Sequence, residues 1–388
     1  MKILFSIPAM NRGGGAQNQI RLIAKNLKSR GHDIRVLVFY KKGFLDGDNY
    51  ILELEENGVQ VDYLLDNFSK NPFLLLRSSI KYLGKYNPDV VVSFLYHSIA
   101  LMRIASLFTN IPIHISSFRN AKIDTNFRGL FMKYTDFLSD CMVNNSNNYK
   151  LKVSKPYKNY VILNAIDDKY YGERIPSNEV RKLGENNFKW ITVGRLEPQK
   201  NYPMLLNAFI GVVEKYPNTI LKIFGEGRLK SELETLSKIN GIENNVEFCG
   251  LTKDILNEYK KSDAFVTSSS WEGFSNALME ACAIGLPSIS TNVSGAAEMI
   301  SDEKNGYIVP IDEVDKLKEA MLTMMEKSSK ELQEFSDMSK KRIIGICDPH
   351  IITDKWEKLM KDLVILKQNN KKQFSLKHSL LLCIGVLI

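Results

Sequence analysis

The chain has 388 residues, which is too long for one ordinary hydrophobic core and therefore predicts two domains. Its hydrophobic content of 44% is that of a globular protein, and the absence of any run of about 20 apolar residues excludes a predicted membrane-spanning helix. The sequence shows no N-terminal signal peptide, and its five cysteines have no C-x-x-C spacing. We therefore expect reduced thiols in a cytoplasmic protein.

The positive charge is concentrated in the first half of the sequence. Residues 1–165 carry 22 Lys and Arg against 12 Asp and Glu, a net charge of +10, whereas residues 166–388 carry 30 against 32. This asymmetry predicts an anionic partner for the first half, although simple solubility is an alternative. Because no nucleic-acid-binding motif is present, we expect a phosphorylated lipid acceptor or an anionic membrane surface. The protein would then lie on the inner face of the cell membrane.

The first half alternates between predicted strands and helices. Its opening, strand 2–7, a three-glycine loop, helix 16–30 and strand 34–40, is Rossmann-like. Gly14 and Gly15 in that loop either allow a ligand to approach the backbone closely or form a plain tight turn. Later strands are predicted over 59–65, 89–94, 113–117, 141–145 and 160–163.

Residues that follow predicted strands of this half are candidates for a site, because parallel α/β folds bind ligands at the carboxyl ends of their strands. His97 follows strand 89–94, and Arg119 and Asn120 follow strand 113–117. A lone histidine is more often structural than functional, and for His97 both roles stay open.

Two helices of this half combine bases with apolar residues. Helix 72–86 carries Arg77, Lys81 and Lys85 on one side, and helix 126–139 mixes aromatic with basic side chains. Each is either a helix buried on one face or a contact for an acceptor or a membrane.

A polar stretch over residues 168–187 predicts the linker to a second alternating series. Its first strand, 190–193, is followed by a loop with Arg195 and Lys200, two cations that together suit a diphosphate. Alone, such a pair is more often a solvated loop. Gly225 follows the next strand, 219–224.

The stretch from 264 to 285 contains the densest group of candidate residues. A buried strand over 264–267 is followed by a turn and a helix over 277–283 with Ser275 or Asn276 as its N-cap. A helix N-terminus after a parallel strand favours a phosphate. Glu280, one turn into the helix, could accept bonds from a ribose diol, and Glu272 would lie nearer a donor sugar. The alternative is an ordinary βα unit with Glu280 in solvent.

Three motifs resemble those of the retaining GT-B-fold glycosyltransferases of family four, which use nucleotide sugars: G-R-L-E-P-Q-K-N at 194–201, F-G-E-G at 224–227 and E-G-F-S-N-A-L-M-E at 272–280. The three-glycine loop, G-H at 31–32 and N-A-I-D at 164–167 extend the resemblance over nearly the whole chain. It implies an α/β fold of two Rossmann-like parallel-sheet domains facing across a cleft. We expect an acceptor-side domain over 1–167, a nucleotide-sugar domain over 168–350, a helix over 351–366 that crosses back to the first domain, and a basic and apolar tail over 367–388.

The resemblance also implies roles for the candidate residues. Arg195 and Lys200 would neutralise the diphosphate, Glu272 would touch the donor sugar and Glu280 would hold the ribose. Nucleotide contacts are further expected from Gly225, Phe274, Ser275 and Asn276. The part of the site that faces the acceptor or the sugar would be lined by Gly14, Gly15, His97 and Arg119. At the position of Arg119 many members of the family have a histidine.

The implied function is transfer of a hexose from a nucleotide diphosphate sugar, expected to be a UDP-sugar, with retention at the anomeric carbon. The expected acceptor is a lipid-linked saccharide in cell-surface polysaccharide or glycoconjugate synthesis. No metal or other cofactor is expected, since no D-x-D stands near a strand end. Two alternatives remain: a nucleotide-sugar epimerase on the same fold, and a non-catalytic protein that binds a sugar nucleotide or a polyanion.

Overall fold

The computed structural model describes residues 1–10, 14–41, 49–69, 71–119, 127–147, 159–171 and 188–369. Within these residues the chain forms two parallel β-sheets, one of seven and one of six strands. Central strands such as V-V-V-S-F at 90–94 are buried throughout, as expected for a parallel sheet that is covered on both faces.

The first sheet has the order β3-β2-β1-β4-β5-β6-β7. Its strands are β1 Lys2–Ile7, β2 Asp33–Tyr40, β3 Gln60–Leu65, β4 Val90–Phe94, β5 Ile113–Phe118, β6 Cys141–Asn144 and β7 Asn159–Val161. The accompanying helices are α1 Gly15–Ser29, α2 Asn49–Glu56, α3 Pro72–Tyr86, α4 Tyr96–Ala105 and α5 Phe127–Tyr134.

The second sheet has the order β10-β9-β8-β11-β12-β13. Its strands are β8 Lys189–Val193, β9 Ile220–Phe224, β10 Val246–Gly250, β11 Ala264–Thr267, β12 Ser288–Thr291 and β13 Gly306–Val309. Its helices are α6 Tyr202–Lys215, α7 Lys230–Ile239, α8 Ile255–Lys260, α9 Asn276–Ala283, α10 Ala296–Met299 and α11 Val314–Glu326. The predicted pair of Rossmann-like domains is confirmed.

Two long helices end the described chain, α12 Ser329–Cys347 and α13 Pro349–Asn369. The sequence interpretation assigned only the second of them, as helix 351–366, and missed α12. A local signal was available, because Ser328 and Glu331 form a capping box at the start of α12.

Helix α13 crosses back to the first domain, as the resemblance implied. Trp356 is fully buried, with its ring centroid 6.2 Å from that of Phe94 at the end of β4. Glu357 accepts from Arg30 at 2.8 Å and lies 3.1 Å from His32. These contacts attach the end of the described chain to its beginning.

The domain boundaries at 167 and 350 remain predictions. The chain leaves the first sheet near Ile166, whose backbone N–H donates to the carbonyl of Cys347 at 2.9 Å. Most of the predicted linker and the tail from residue 370 lie outside the described residues.

Among the described helices, none has both the length and the apolar character needed to cross a membrane. Four of the five cysteines, at 141, 249, 282 and 347, lie in the described part and are free thiols.

Candidate active site

The loop between β11 and α9 lies against the first domain. Ser275, rather than Asn276, is the N-cap of α9, and its hydroxyl accepts from the N–H of Leu278 at 3.4 Å. A Cβ at Gly273 would lie 2.7 Å from the backbone oxygen of Arg119 and 2.9 Å from Oδ1 of Asn145. The absence of a side chain at 273 therefore lets the two domains meet at this loop.

Lys200 and Glu272 form an ion pair inside the second domain, with Nζ and Oε1 2.6 Å apart. Glu272 is only 8% exposed and also accepts from Ser269 at 3.0 Å and from Gln199 at 3.2 Å. Arg195 is exposed, whereas Lys200 is half-buried because Glu272 holds its ammonium group. Sequence reasoning missed this pair, since 72 positions separate its members.

Gly225 has a packing role that the sequence did not indicate. Its φ is +143°, and a Cβ there would lie 1.9 Å from the carbonyl oxygen of Gly194. Glycine thus lets the loops after β8 and β9 approach each other. The role of Gly225 in nucleotide binding stays a prediction.

Glu280 is half-buried on α9 rather than in solvent. The hydroxyl of Tyr259 donates to its Oε2 at 3.4 Å, and Tyr170, which follows N-A-I-D, also bonds to its carboxylate. Burial raises the pKa of Glu280 to about 7, against the opposing effects of the Lys169 charge and of both tyrosine hydrogen bonds. The two tyrosines are further candidate site residues that sequence reasoning missed, and only the proximity of Tyr170 to N-A-I-D hinted at one of them.

A chain of hydrogen bonds joins the two domains beside this loop. Arg119 Nη1 donates to Asn164 Oδ1 at 2.8 Å, and Asn164 Nδ2 donates to Asn276 Oδ1 at 2.7 Å. Gly14 is the N-cap of α1, and a Cβ at Gly15 would lie 2.8 Å from Asn276 Nδ2. The structure therefore brings Gly15, Arg119 and Asn276 together. Asn164 lies between them, and the sequence did not predict it as a site residue.

His97 lies apart from these contacts, near the start of α4. It is exposed, and its ring packs at 5.3 Å against that of Tyr96. Desolvation and the nearby positive charge of Arg128 lower the pKa of His97. Asn120, the neighbour of Arg119, lies outside the described residues.

The described site suits an anionic ligand at the second domain. Arg195 and Lys200 supply positive charge on the loop after β8. The first turn of α9, in which Ser275 caps the N–H of Leu278, adds the partial positive charge of a helix N-terminus. In the described ranges, no group of three or more His, Cys, Asp or Glu side chains is arranged to hold a metal ion.

Comparison with known proteins identifies the two halves of the chain. Residues 13–169 match the family described as Glycosyltransferase Family 4, and residues 175–342 match the family described as Glycosyl transferases group 1.

Two curated relatives and one solved structure show how far the similarity extends. An uncharacterized glycosyltransferase of Methanocaldococcus jannaschii is 30% identical over 314 residues, which cover 71% of this chain and 72% of that protein. The UDP-Gal:alpha-D-GlcNAc-diphosphoundecaprenol alpha-1,3-galactosyltransferase of Escherichia coli is 26% identical, covering 81% of this chain and 89% of that protein. The crystal structure of Anabaena HepE with UDP and glucose has a TM-score of 0.78 at 20% identity, covering 93% of this chain and all of that one. The chain belongs to the group 1 glycosyltransferases and has their GT-B fold.

Proposed function

We propose that this protein is a retaining hexosyltransferase that moves a sugar from a UDP-sugar to a lipid-linked saccharide without a metal ion. The observation that carries the proposal is the loop from Glu272 to Asn276. It binds Lys200 on one side and contacts Arg119 and Asn164 of the first domain on the other. A donor bound at this loop would therefore face the acceptor-side domain.

The proposed chemistry relies on charge that is placed before the reaction begins. Arg195, Lys200 and the N–H groups of α9 would stabilise the negative charge that develops on the leaving diphosphate. The acceptor hydroxyl would attack from the face that the diphosphate leaves, and its proton would pass to a phosphate oxygen. Glu272 is bound by three donors within the second domain, so we assign it to holding Lys200 and the sugar rather than to nucleophilic attack.

The Escherichia coli relative supports the finer parts of this proposal. Its name specifies a UDP-sugar donor, an acceptor linked to diphosphoundecaprenol and an α linkage. Sugars such as UDP-galactose carry an α bond to the diphosphate, so an α product corresponds to retention. The crystal structure of the Anabaena protein with UDP and glucose adds support for the same donor class.

The proposed function is tested by a screen of nucleotide sugars followed by an assay of transfer. We expect one UDP-sugar to raise the thermal unfolding temperature, and UDP release to require a lipid-linked acceptor and to continue in EDTA. The product should keep the anomeric configuration of the donor, which NMR measures directly. Epimerisation of the donor without an acceptor, or binding without any turnover, would contradict the proposal.

One surface of the first domain supports an acceptor at a membrane. Helices α3, α4 and α5 contain no acidic residue. They form one layer, since α4 packs against α3 and Arg103 of α4 donates to the carbonyl of Met132 in α5 at 2.9 Å.

Exposed apolar and basic side chains lie together on this layer. On α3, Phe73 is 81% exposed beside the exposed bases Arg77, Lys81 and Lys85. On and after α5 the exposed residues are Arg128, Leu130, Lys133, Tyr134 and Phe137. We call the two sets the α3–α5 surface. Apolar rings would enter the interface of a bilayer while the lysine and arginine side chains contact anionic headgroups. Each basic side chain would contribute about 1 kcal/mol to membrane binding.

The α3–α5 surface predicts binding to anionic vesicles that weakens with salt, because the charge contribution is screened within a Debye length. Replacing Lys81 and Lys85 with glutamate should abolish co-sedimentation with phosphatidylglycerol vesicles at low salt. The matched control replaces Lys215 and Lys316, two exposed lysines of the second domain, with glutamate and should leave binding unchanged. Equal binding of both variants, or none by the wild type, would mean that the charge serves solubility alone.

A further inference from the structure

Arg119 has hydrogen-bonding groups that the described protein leaves unused. Its Nη1 donates to Asn164, but its Nε and Nη2 atoms are buried and have no hydrogen-bond partner. Its guanidinium carbon lies 4.8 Å from the ring centroid of Phe94 and 5.8 Å from that of Trp356. The indole Nε1 of Trp356 is also buried and unpaired. Three donor nitrogen atoms without acceptors therefore lie in one small region.

No acidic side chain among the described residues compensates the Arg119 charge. Burial lowers the pKa of Arg119 to about 9, with no opposing contribution from a carboxylate. Arg21 shows the usual arrangement, since its guanidinium binds both Glu53 and Asp167. A buried, unpaired cation destabilises a folded protein, and a buried polar group without a partner requires an explanation.

The free edge of Arg119 is the one that matches an oxyanion. Nε and Nη2 lie on the same edge of the planar guanidinium group and can donate two parallel bonds to a carboxylate or a phosphate. Phe94 and Trp356 restrict the orientation of that plane, and the bond to Asn164 fixes its other end. The backbone of Arg119 lies against Gly273, and its Nη1 atom bonds to Asn164, which in turn bonds to Asn276. The guanidinium group is therefore linked to the loop assigned to the donor.

We propose that Arg119 is a specificity-determining residue that binds an oxyanion of a substrate, a carboxylate or a phosphate, when the two domains part to admit it. The inference rests on the proposed function for the entry of substrates at this junction. It predicts either an acidic sugar in the donor or a phosphate group in the acceptor. In both cases the ligand supplies the negative charge that the protein leaves out.

Calorimetry with the full-length chain separates the two sources. If the oxyanion belongs to the donor, UDP-glucuronate should bind the wild type at least tenfold more tightly than UDP-glucose, and Arg119→Gln should remove that preference. If it belongs to the acceptor, the two donors should bind equally. Glycerol 1-phosphate should then bind the UDP-saturated wild type, in which UDP occupies the diphosphate site, and Arg119→Gln should abolish that binding.

Two controls keep the test decisive. Binding of UDP itself should be the same in wild type and variant, which shows that the variant is folded. A failure of UDP to bind the wild type would instead count against the proposed function. Arg119→Lys keeps the positive charge but lacks the two parallel N–H donors. It should therefore retain only part of the preference for UDP-glucuronate or of the binding of glycerol 1-phosphate. If the wild type shows neither preference for UDP-glucuronate nor binding of glycerol 1-phosphate, Arg119 is a structural residue and the inference is wrong.

Discussion

Replacing Lys200 with alanine is expected to lower kcat/KM for sugar transfer. The loss should correspond to about 2–4 kcal/mol of transition-state stabilisation, by analogy with loss of an oxyanion-stabilising group. Lys200 would neutralise the leaving diphosphate, and its ammonium is already held in place by Glu272 at 2.6 Å. Charge that is fixed in advance costs no reorganisation when the bond to the sugar breaks. The effect should therefore appear in kcat as well as in KM. It is measured by steady-state assay of UDP release with acceptor.

The matched controls separate catalysis from folding. Lys215 also pairs with a glutamate, Glu326, but is solvent-exposed, so Lys215→Ala should leave kcat/KM unchanged. Arg195→Ala should resemble Lys200→Ala while changing the thermal unfolding temperature little, because Arg195 is exposed. Turnover close to wild type in the Arg195→Ala, Lys200→Ala double variant would show that these cations do not serve the diphosphate.

Replacing Glu280 with glutamine is expected to weaken nucleotide binding about tenfold or more, or roughly 1.4 kcal/mol. Glutamine keeps the shape of the side chain but loses charge-assisted bonds to the ribose hydroxyls. The measurement is calorimetric titration with UDP-glucose, whose diphosphate has no group that titrates near neutral pH. Unchanged affinity would mean that Glu280 serves only its contacts with Tyr170 and Tyr259.

The raised pKa of Glu280 gives this second prediction a pH dependence. With a pKa of about 7 in the folded protein, the carboxyl group is largely protonated at pH 6, and ribose binding to the ionised form must release that proton. Affinity for UDP-glucose should therefore fall by up to about tenfold per pH unit below 7 and level off above it. Glu280→Gln should remove this dependence.

Protein stability should depend on pH in the opposite sense. The unfolded pKa of a glutamate is about 4.3, so the contribution of the Glu280 proton to stability is complete below that pH and is lost as pH rises through 7. Thermal unfolding of wild type and Glu280→Gln across this range would show a difference that grows with pH.

Local signals in the sequence were sufficient for the fold. Continuous apolar strands such as 90–94 separated by helical segments predict parallel sheets, and the motifs at 194–201, 224–227 and 272–280 indicate the family. The start of α9 was foreseen as well, because an N-cap depends on residues that are adjacent in the chain. A local signal that was overlooked, the capping box at Ser328 and Glu331, would have revealed α12.

The pairing of the site residues was decided by the tertiary structure alone. Lys200 meets Glu272 across 72 positions, and Asn164 meets Asn276 across 112. The unpaired edge of Arg119 arises where β5, α13 and the second domain converge. The sequence determined which side chains follow which strands, because that order is set along the chain. Which charges are buried together, and which are left without a partner, depends on how the two sheets and the returning helix pack. No periodicity within one element encodes that packing.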